Sequence, residues 1–207
     1  MAYEERGLIN TPDTTSNKDY IIELIYSDDS KYGVVLEQEF PIYDKFQLEY
    51  ISWGRGDDFN YGNIDDLDPV KYSAAQMYHI SLGRGVNQMY ANIDDLDPEK
   101  YDHQQMQMVS KTRFSVSDIF GNIDDLDPEK YTSGQMYYVS LGRGNNLKYG
   151  NIDDVDPSIA SFLMMNLLCL SRGASDVFGD INDLNLEDHD VESLERISRQ
   201  RGRHKGK

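Results

Sequence analysis

Recurring aspartate clusters are the residues whose type and spacing best suit a binding site. The motif Asp-Asp-x-Asp occurs four times, each time inside a stretch that reads aromatic-small-Asn-Ile-Asp-Asp-aliphatic-Asp-Pro. The carboxylates are Asp65, Asp66, Asp68, Asp94, Asp95, Asp97, Asp124, Asp125, Asp127, Asp153, Asp154 and Asp156. Calcium takes about six to eight oxygen ligands, but these clusters lack the alternate Asp, central Gly and terminal Glu of an EF-hand. They therefore predict an acidic surface that binds a partner, and no metal or other cofactor.

One arginine per repeat forms a second series. Arg55, Arg84, Arg113, Arg143, Arg172 and Arg201 are 29, 29, 30, 29 and 29 residues apart by subtraction. At the end of a helix an arginine complements the helix dipole, and in a stack it could also reach an aspartate of a neighbouring repeat. We expect this structural role. The alternative is a row of guanidinium groups that binds carboxylate or phosphate groups.

The asparagine of each stretch is predicted to bind neighbouring backbone, as such residues do in other repeat proteins. An alternative reading makes the chain a multicore precursor, in which each near-identical copy becomes the same modified peptide. The modification sites would then be Tyr61, Asn63, Tyr90, Asn92, Phe120, Asn122, Tyr149 and Asn151. The sequence shows neither dibasic cleavage sites nor a secretory signal, which counts against that reading.

Signals for catalysis are weak. His79, His103, His189 and His204 share no metal-ligand spacing, and Cys169 stands where other repeats carry serine, as a small buried side chain would. A catalytic pair needs one unique environment, whereas the aspartate pairs recur in near-copies. We expect the protein not to be an enzyme.

The elements that position these residues follow from helix signals. Each repeat has an N-cap residue, followed in four repeats by Gln three positions later, and then apolar residues at i and i+3. The caps are Asp44, Ser73, Asp102, Thr132, Ser161 and Asp190. A second cap precedes each leading aromatic, and apolar residues then run i, i+3, i+6, as in Tyr61, Ile64 and Leu67. The fold class is therefore predicted to be mainly α, with about six helix-turn-helix repeats of 29–30 residues in a short solenoid.

The competing fold is built from β-hairpin repeats, and it is best supported in the first repeat. Residues 20–26 and 32–37 are rich in β-branched and aromatic residues and flank a Ser-Asp-Asp-Ser turn. Along the chain we expect a polar tail over 1–18, the repeat domain over 19–202 and a basic end over 203–207.

The charge composition restricts the kind of partner that the protein can bind. The 207 residues carry 20 Lys+Arg and 37 Asp+Glu, for a net charge of −17. That charge repels anionic membranes and nucleic acid, which only the basic C-terminal end could contact. No stretch is apolar enough to span a membrane. We therefore predict a cytoplasmic, acidic scaffold or binding module for a basic protein or peptide, and the sequence leaves the oligomeric state open.

Overall fold

The computed structural model describes residues 32–114 and 119–202, and these residues form six α-helices and no strand. The helices are α1 Lys45–Arg55, α2 Ala74–Arg84, α3 His103–Arg113, α4 Ser133–Arg143, α5 Phe162–Arg172 and α6 Val191–Gly202. Short 3-10 turns occupy Glu37–Glu39 and Leu186–Asp188. The chain divides into two compact bodies, residues 1–87 with α1 and α2, and residues 88–207 with α3 to α6. The mainly helical class is thus confirmed.

The helices begin where the capping residues predict. In α4 the Thr132 hydroxyl accepts a hydrogen bond from the Gln135 amide at 3.3 Å, and the Gln135 side-chain oxygen accepts one from the Thr132 amide at 2.9 Å. The same reciprocal capping box starts α1, α2 and α3. Two backbone donors or side-chain bonds are thus satisfied at the start of each of these four helices, which stabilises helices too short to persist alone.

Each body has its core along the helix faces predicted from the i, i+3 pattern. Met77, Met106, Met136 and Met165 are 0% exposed, and so are Ile64 and Ile93 from the stretches between helices. In the first body α1 packs on α2, and in the second α3 packs on α4, α4 on α5 and α5 on α6. No single helix encloses its own apolar face, so burial comes from the neighbouring repeat.

The capping glutamines also tie one repeat to the next. The amide nitrogen of Gln135 donates to the carbonyls of Pro157 at 2.9 Å and Ala160 at 2.8 Å, beyond the following acidic stretch. Gln47 makes the equivalent pair of bonds in the first body. One side chain therefore caps its helix and fixes the next connection.

The prediction of a second helix in each repeat is wrong. Residues 58–67 and the described equivalents in later repeats are turns and irregular backbone. The Gly62 amide donates to the Ser81 carbonyl of α2 at 2.8 Å, and the Asp65 amide donates to the Asn63 side chain at 2.9 Å. Backbone groups that a helix would pair internally are thus taken by side chains and by the following helix. Ile64 and Leu67 are nevertheless buried, as the spacing predicted.

Other parts of the sequence prediction fall partly outside the described residues. The polar tail over 1–18, the basic end over 203–207 and the first strand of the β-hairpin alternative, residues 20–26, lie outside them. Residues 32–37, the second strand of that hairpin, form no strand. Among the described residues, no helix has the length and apolar character needed to cross a bilayer.

The buried methionines should carry much of the stability. We expect Met136→Ala to lower the free energy of unfolding by roughly 2–5 kcal/mol, because the substitution leaves a cavity in a packed site. Leu147→Ala is the matched control, because Leu147 is 82% exposed and its truncation should change little. Urea denaturation followed by circular dichroism measures both. Equal effects of the two substitutions would contradict the packing described above.

Candidate functional site

The acidic stretches form loops, and the helix that follows each loop binds it through its last arginine. We use "loop" for Tyr61–Pro69, Tyr90–Pro98, Phe120–Pro128, Tyr149–Pro157 and the diverged Phe178–Leu186, and we name the three aspartates of a loop by order. Arg143 ends α4 and reaches back to the loop before it. Its terminal nitrogens bind both oxygens of the second aspartate, Asp125, at 2.5 and 2.9 Å, and one of them also donates to the Asn122 carbonyl at 2.8 Å.

The same arginine also reaches forward to the loop after it. The Nε of Arg143 donates to Asp153, the first aspartate of that loop, at 2.7 Å. Arg113 makes the corresponding bonds to Asp95 and Asp124. We call this arrangement the arginine bridge. It uses the planar fork of a guanidinium, which a lysine cannot reproduce.

The bridge varies at the ends of the chain. Arg55 binds Glu39 in place of a second aspartate, and Arg172 donates its Nε to the Asn182 amide oxygen. Arg201 binds Asp183 through both terminal nitrogens. The expectation that the arginines belong to the fold is confirmed at each of these positions.

The repeated asparagine orients the first aspartate. In the loop of Phe120, the Asn122 side-chain oxygen accepts from the Asp124 amide at 2.8 Å, and its nitrogen donates to Asp124 Oδ2 at 3.0 Å. The other oxygen of Asp124 is thereby left to accept from Arg113. Asn63, Asn92 and Asn151 make the same pair of bonds in their loops. The asparagine is therefore structural, as predicted.

The third aspartate of each loop is the one that the bridge leaves unused. Asp97 Oδ1 accepts from the Glu99 amide at 3.0 Å, and Asp127 Oδ1 accepts from the Glu129 amide at 3.0 Å, which closes the turn after each loop. Asp68 and Asp156 close the same turn in their loops. Each of these four carboxylates uses one oxygen to close the turn, and the second oxygen of Asp127 also lies 3.5 Å from the Lys130 ammonium.

Ionisation of the loops is fixed by the bridges. The hydrogen bonds from Arg113 and Arg143 hold the pKa values of Asp95 and Asp125 below the ordinary aspartate value. The same contact raises the pKa of each arginine. These aspartates are therefore carboxylates at neutral pH, which suits them to hold cations and not to transfer protons.

A groove of about 680 Å³ opens between two successive loops of the second body. Its lining residues are Asp95, Leu96, Asp97, Lys100, Tyr101, Arg113, Asp124, Asp127, Pro128 and Glu129. Five of these are acidic and two are basic, which leaves a net charge of −3 by subtraction. Arg113 binds Asp95 and Asp124, and the Lys130 ammonium lies 3.5 Å from Asp127 Oδ2, so the groove carboxylates outside these ion pairs are Asp97 and Glu129.

The remaining candidates have structural surroundings. Cys169 is fully buried, its Sγ lies 3.2 Å from the Tyr138 carbonyl, and burial raises the pKa of its thiol to about 12. His79 is buried beside Tyr78, and His204 lies outside the described residues. Within the described residues, no group of three or more His, Cys, Asp or Glu side chains is placed to hold a metal ion.

Two kinds of contact were not predicted from the sequence. Near the end of α1, α2, α3 and α6 a serine hydroxyl donates to the backbone that precedes the helix, as Ser81 does to the Gly62 carbonyl at 2.8 Å, whereas Ser140 of α4 donates to Tyr137 of its own helix. A Cβ on Gly62 would lie 2.3 Å from Arg84 Cβ, which explains a small residue at that position. The repeat with Ala91 there keeps the bond to its helix at 3.0 Å. The separation of 19 residues between Ser81 and Gly62 was the signal in the sequence that could have indicated this contact.

Comparisons of the chain with protein-family models, curated proteins and solved structures gave no match.

Replacing a bridging arginine should destabilise the fold. In Arg143→Lys the bidentate contact with Asp125 and the bond to Asp153 cannot both form, so we expect a loss of about 1–3 kcal/mol, reduced by solvent exposure of the carboxylates. Arg196→Lys, on the exposed side of α6, is the control and should have no measurable effect. The measurement is the urea midpoint at fixed salt. A loss from Arg196→Lys as large as that from Arg143→Lys would remove the special role of the bridge.

The arginine bridges also predict how the free energy of unfolding depends on pH in acid. A carboxylate whose folded pKa is depressed contributes stability above its unfolded pKa of about 3.9, and that contribution disappears as the pH falls through the folded pKa. The destabilisation caused by Asp125→Asn should therefore be full at pH 6 and should shrink steadily below about pH 4. Glu99→Gln is the control and should match the wild type throughout. A destabilisation that stays constant between pH 6 and 2.5 would contradict this origin.

Proposed function

We propose that each body is a short solenoid-like stack that acts, without catalysis, as a binding module for a basic protein or peptide. The observation that carries the proposal is the groove between successive loops, which keeps a net charge of −3 although the arginine bridge binds Asp95 and Asp124 in its walls. A negative groove with rigid walls concentrates potential and attracts cationic side chains.

The groove suits a lysine or arginine side chain. Leu96, Tyr101 and Pro128 supply apolar surface along which an aliphatic stem can lie. The carboxylates at the rim then bind the charged head. Because Asp97 and Asp127 are fixed by turns, they need little reorganisation on binding, which favours affinity.

Repetition adds to this binding. Loops of nearly the same sequence follow α3 and α4, and the first aspartate of each is held by an equivalent arginine bridge. A partner with several cationic residues could therefore use more than one groove at once, and each added contact would be intramolecular. The proposed location remains the cytoplasm, and the array has no fixed oligomeric state in this proposal.

The multicore precursor remains the alternative. The folded state offers its own reason for near-identical loops, since the small residue, the asparagine, the aliphatic residues and all three aspartates each make a defined contact or are buried. Tyr61, Tyr90, Phe120 and Tyr149, the aromatic candidates for modification, are half-buried in the fold. These contacts favour a folded binding module over an unfolded peptide source.

Neutralising the groove should weaken binding without unfolding the protein. The variant combines Asp97→Asn, Asp127→Asn and Glu129→Gln, and asparagine retains the oxygen that closes each turn. We expect the Kd for a fluorescein-labelled oligolysine peptide at low salt to rise about tenfold, from three lost, partly exposed ion contacts.

The matched control makes the same change in net charge away from the groove. It combines Glu187→Gln, Asp188→Asn and Glu192→Gln in the last repeat. Fluorescence anisotropy over a salt series measures both variants, and raised salt should weaken wild-type binding. If the two variants bind equally, the groove is not the binding site.

A further inference from the structure

The peptide bond that closes each of the four intact loops joins the third aspartate to a proline. Every Asp–Pro bond of the chain lies at this one position, and successive bonds are 29, 30 and 29 residues apart by subtraction. The remaining two prolines follow a threonine and a phenylalanine. The four bonds are Asp68–Pro69, Asp97–Pro98, Asp127–Pro128 and Asp156–Pro157.

The fold polarises the carbonyl group of each of these bonds. The carbonyl oxygen of Asp97 accepts two backbone hydrogen bonds, from the Lys100 amide at 3.1 Å and from the Tyr101 amide at 3.0 Å. Two converging N–H groups stabilise negative charge that develops on a carbonyl oxygen, as an oxyanion hole does. The same pair of bonds, at 3.0 to 3.2 Å, reaches the carbonyl oxygens of Asp68, Asp127 and Asp156.

A nucleophile for this carbonyl lies on the same residue. Attack by a side-chain carboxylate oxygen on the carbonyl carbon of its own aspartate closes a five-membered ring. At Asp97 the turn bond from the Glu99 amide to Oδ1, 3.0 Å long, restricts rotation of the carboxylate and holds it beside the backbone. At Asp127 the Lys130 ammonium lies 3.5 Å from Oδ2, and such a surface ion pair costs little to break.

Proline makes this bond easier to cut than other aspartyl bonds. Its nitrogen carries no N–H, so it cannot attack the aspartate side chain, which is the cyclisation that competes in other sequences. The nitrogen leaves as a secondary amine, which takes up a proton readily. The carboxylates of Asp68, Asp97 and Asp156 are exposed and that of Asp127 is half-buried, so water reaches the reacting groups.

We propose that the four Asp–Pro bonds are self-cleavage sites that the folded loops activate. The proposal goes beyond the binding function and does not depend on it. Each site reacts once, which distinguishes this chemistry from enzymatic turnover. Cuts at all four bonds give three inner segments, residues 69–97, 98–127 and 128–156, each of which contains one helix.

The reaction has two steps and consumes only water. A carboxylate oxygen of the aspartate bonds to the carbonyl carbon, the bond from that carbon to the proline nitrogen breaks, and a cyclic anhydride forms. The nitrogen takes up two protons and becomes a secondary ammonium group. Water then opens the anhydride, which restores the side-chain carboxylate, leaves a carboxylate at the new C-terminus and returns two protons.

Mildly acidic solution suits both requirements of the first step, a protonated leaving nitrogen and an ionised carboxylate. Hydrogen bonds from the Ser158 amide and hydroxyl hold the pKa of Asp156 below its ordinary value, so this nucleophile stays charged. At about pH 5 the groups that line the groove around Asp97 and Asp127 also keep their main charge state. These are Asp95, Lys100, Tyr101, Arg113, Asp124 and Glu129.

The cut pieces should stay together as long as the protein is folded. Gln105 Nε2 donates to the Pro128 carbonyl at 2.9 Å, and Gln135 Nε2 donates to the Pro157 carbonyl at 2.9 Å. Both bonds cross a cleavage site, because each glutamine precedes the cut and each proline follows it. Cleavage is therefore measured after unfolding, by mass spectrometry in denaturing solvent.

The first experiment compares the folded and unfolded chains. The protein is incubated at about pH 5 in native buffer and, in parallel, in concentrated urea, and circular dichroism verifies both states. We expect fragments that begin at Pro69, Pro98, Pro128 and Pro157 to form at least about tenfold faster in the folded protein, because only its loops position the two N–H donors. Equal rates, or no cleavage at these bonds, would overturn the proposal.

Asp127→Glu tests the nucleophile within the same molecule. The substitution keeps the charge but lengthens the side chain, so attack must close a six-membered ring. We expect the cut after residue 127 to slow at least about tenfold, while the cuts after Asp97 and Asp156 continue as internal controls. An unchanged cut after residue 127 would overturn the side-chain mechanism.

The first repeat supplies a natural control for the turn. The Glu39 carbonyl accepts from the Ile42 amide at 3.0 Å and the Tyr43 amide at 3.1 Å, and phenylalanine follows Glu39 in place of proline. This bond has both donors but neither the aspartate nor the proline, so it should remain intact. A cut there at a comparable rate would point to a mechanism other than the one proposed.

Two further results separate this inference from contamination and from the proposed function. The rate constant should not change on tenfold dilution, because the reaction is intramolecular, and a rate constant that falls with dilution would overturn self-cleavage. Oligolysine binding by the uncut protein at neutral pH tests the binding function independently. Binding without cleavage overturns only the inference made here, and cleavage without binding supports it while the proposed function fails.

Discussion

The fold of each body depends on one arginine at the end of each helix. Its guanidinium binds the second aspartate and a backbone carbonyl of the loop before it and, in most repeats, the first acidic or amide side chain of the loop after it. The loops have no regular secondary structure, and each carries several aspartates. Without the arginine bonds, the loops would repel one another and little would hold their backbone in place. Partial exposure of the carboxylates limits the strength of each pair, so stability depends on many bridges added to the buried core.

The bridge explains why the loops resemble one another more closely than the helices do. In a loop, the asparagine must orient the first aspartate, the aliphatic residues must enter the core, and the third aspartate must close the turn. On the helices, only the buried face, the capping residues, the small residue before the end and the final arginine make comparable contacts. The exposed helix positions are therefore free to differ between repeats.

The structure also separates two roles among the acidic residues. The second aspartates, together with the first aspartates Asp65, Asp124 and Asp153, bind an arginine, whereas the third aspartates close the turns. The net charge of −17 is thus not spread evenly over equivalent groups, and the groove between loops carries a net charge of −3.

Sequence alone determined the repeat period, the helices, their capping boxes and their buried faces, because these features depend on local spacing and on hydrogen bonds within a few residues. It also placed the arginines in the fold. It failed at the second helix, because the i, i+3, i+6 spacing of Tyr61, Ile64 and Leu67 fits a helix as well as an irregular loop with the same buried residues. Only the tertiary structure decided between them: the following helix supplies the serine and arginine that satisfy the loop's backbone, about 20 residues away in sequence. Bonds at that separation leave no local signal, and they determine which aspartates are compensated and which remain open to a partner.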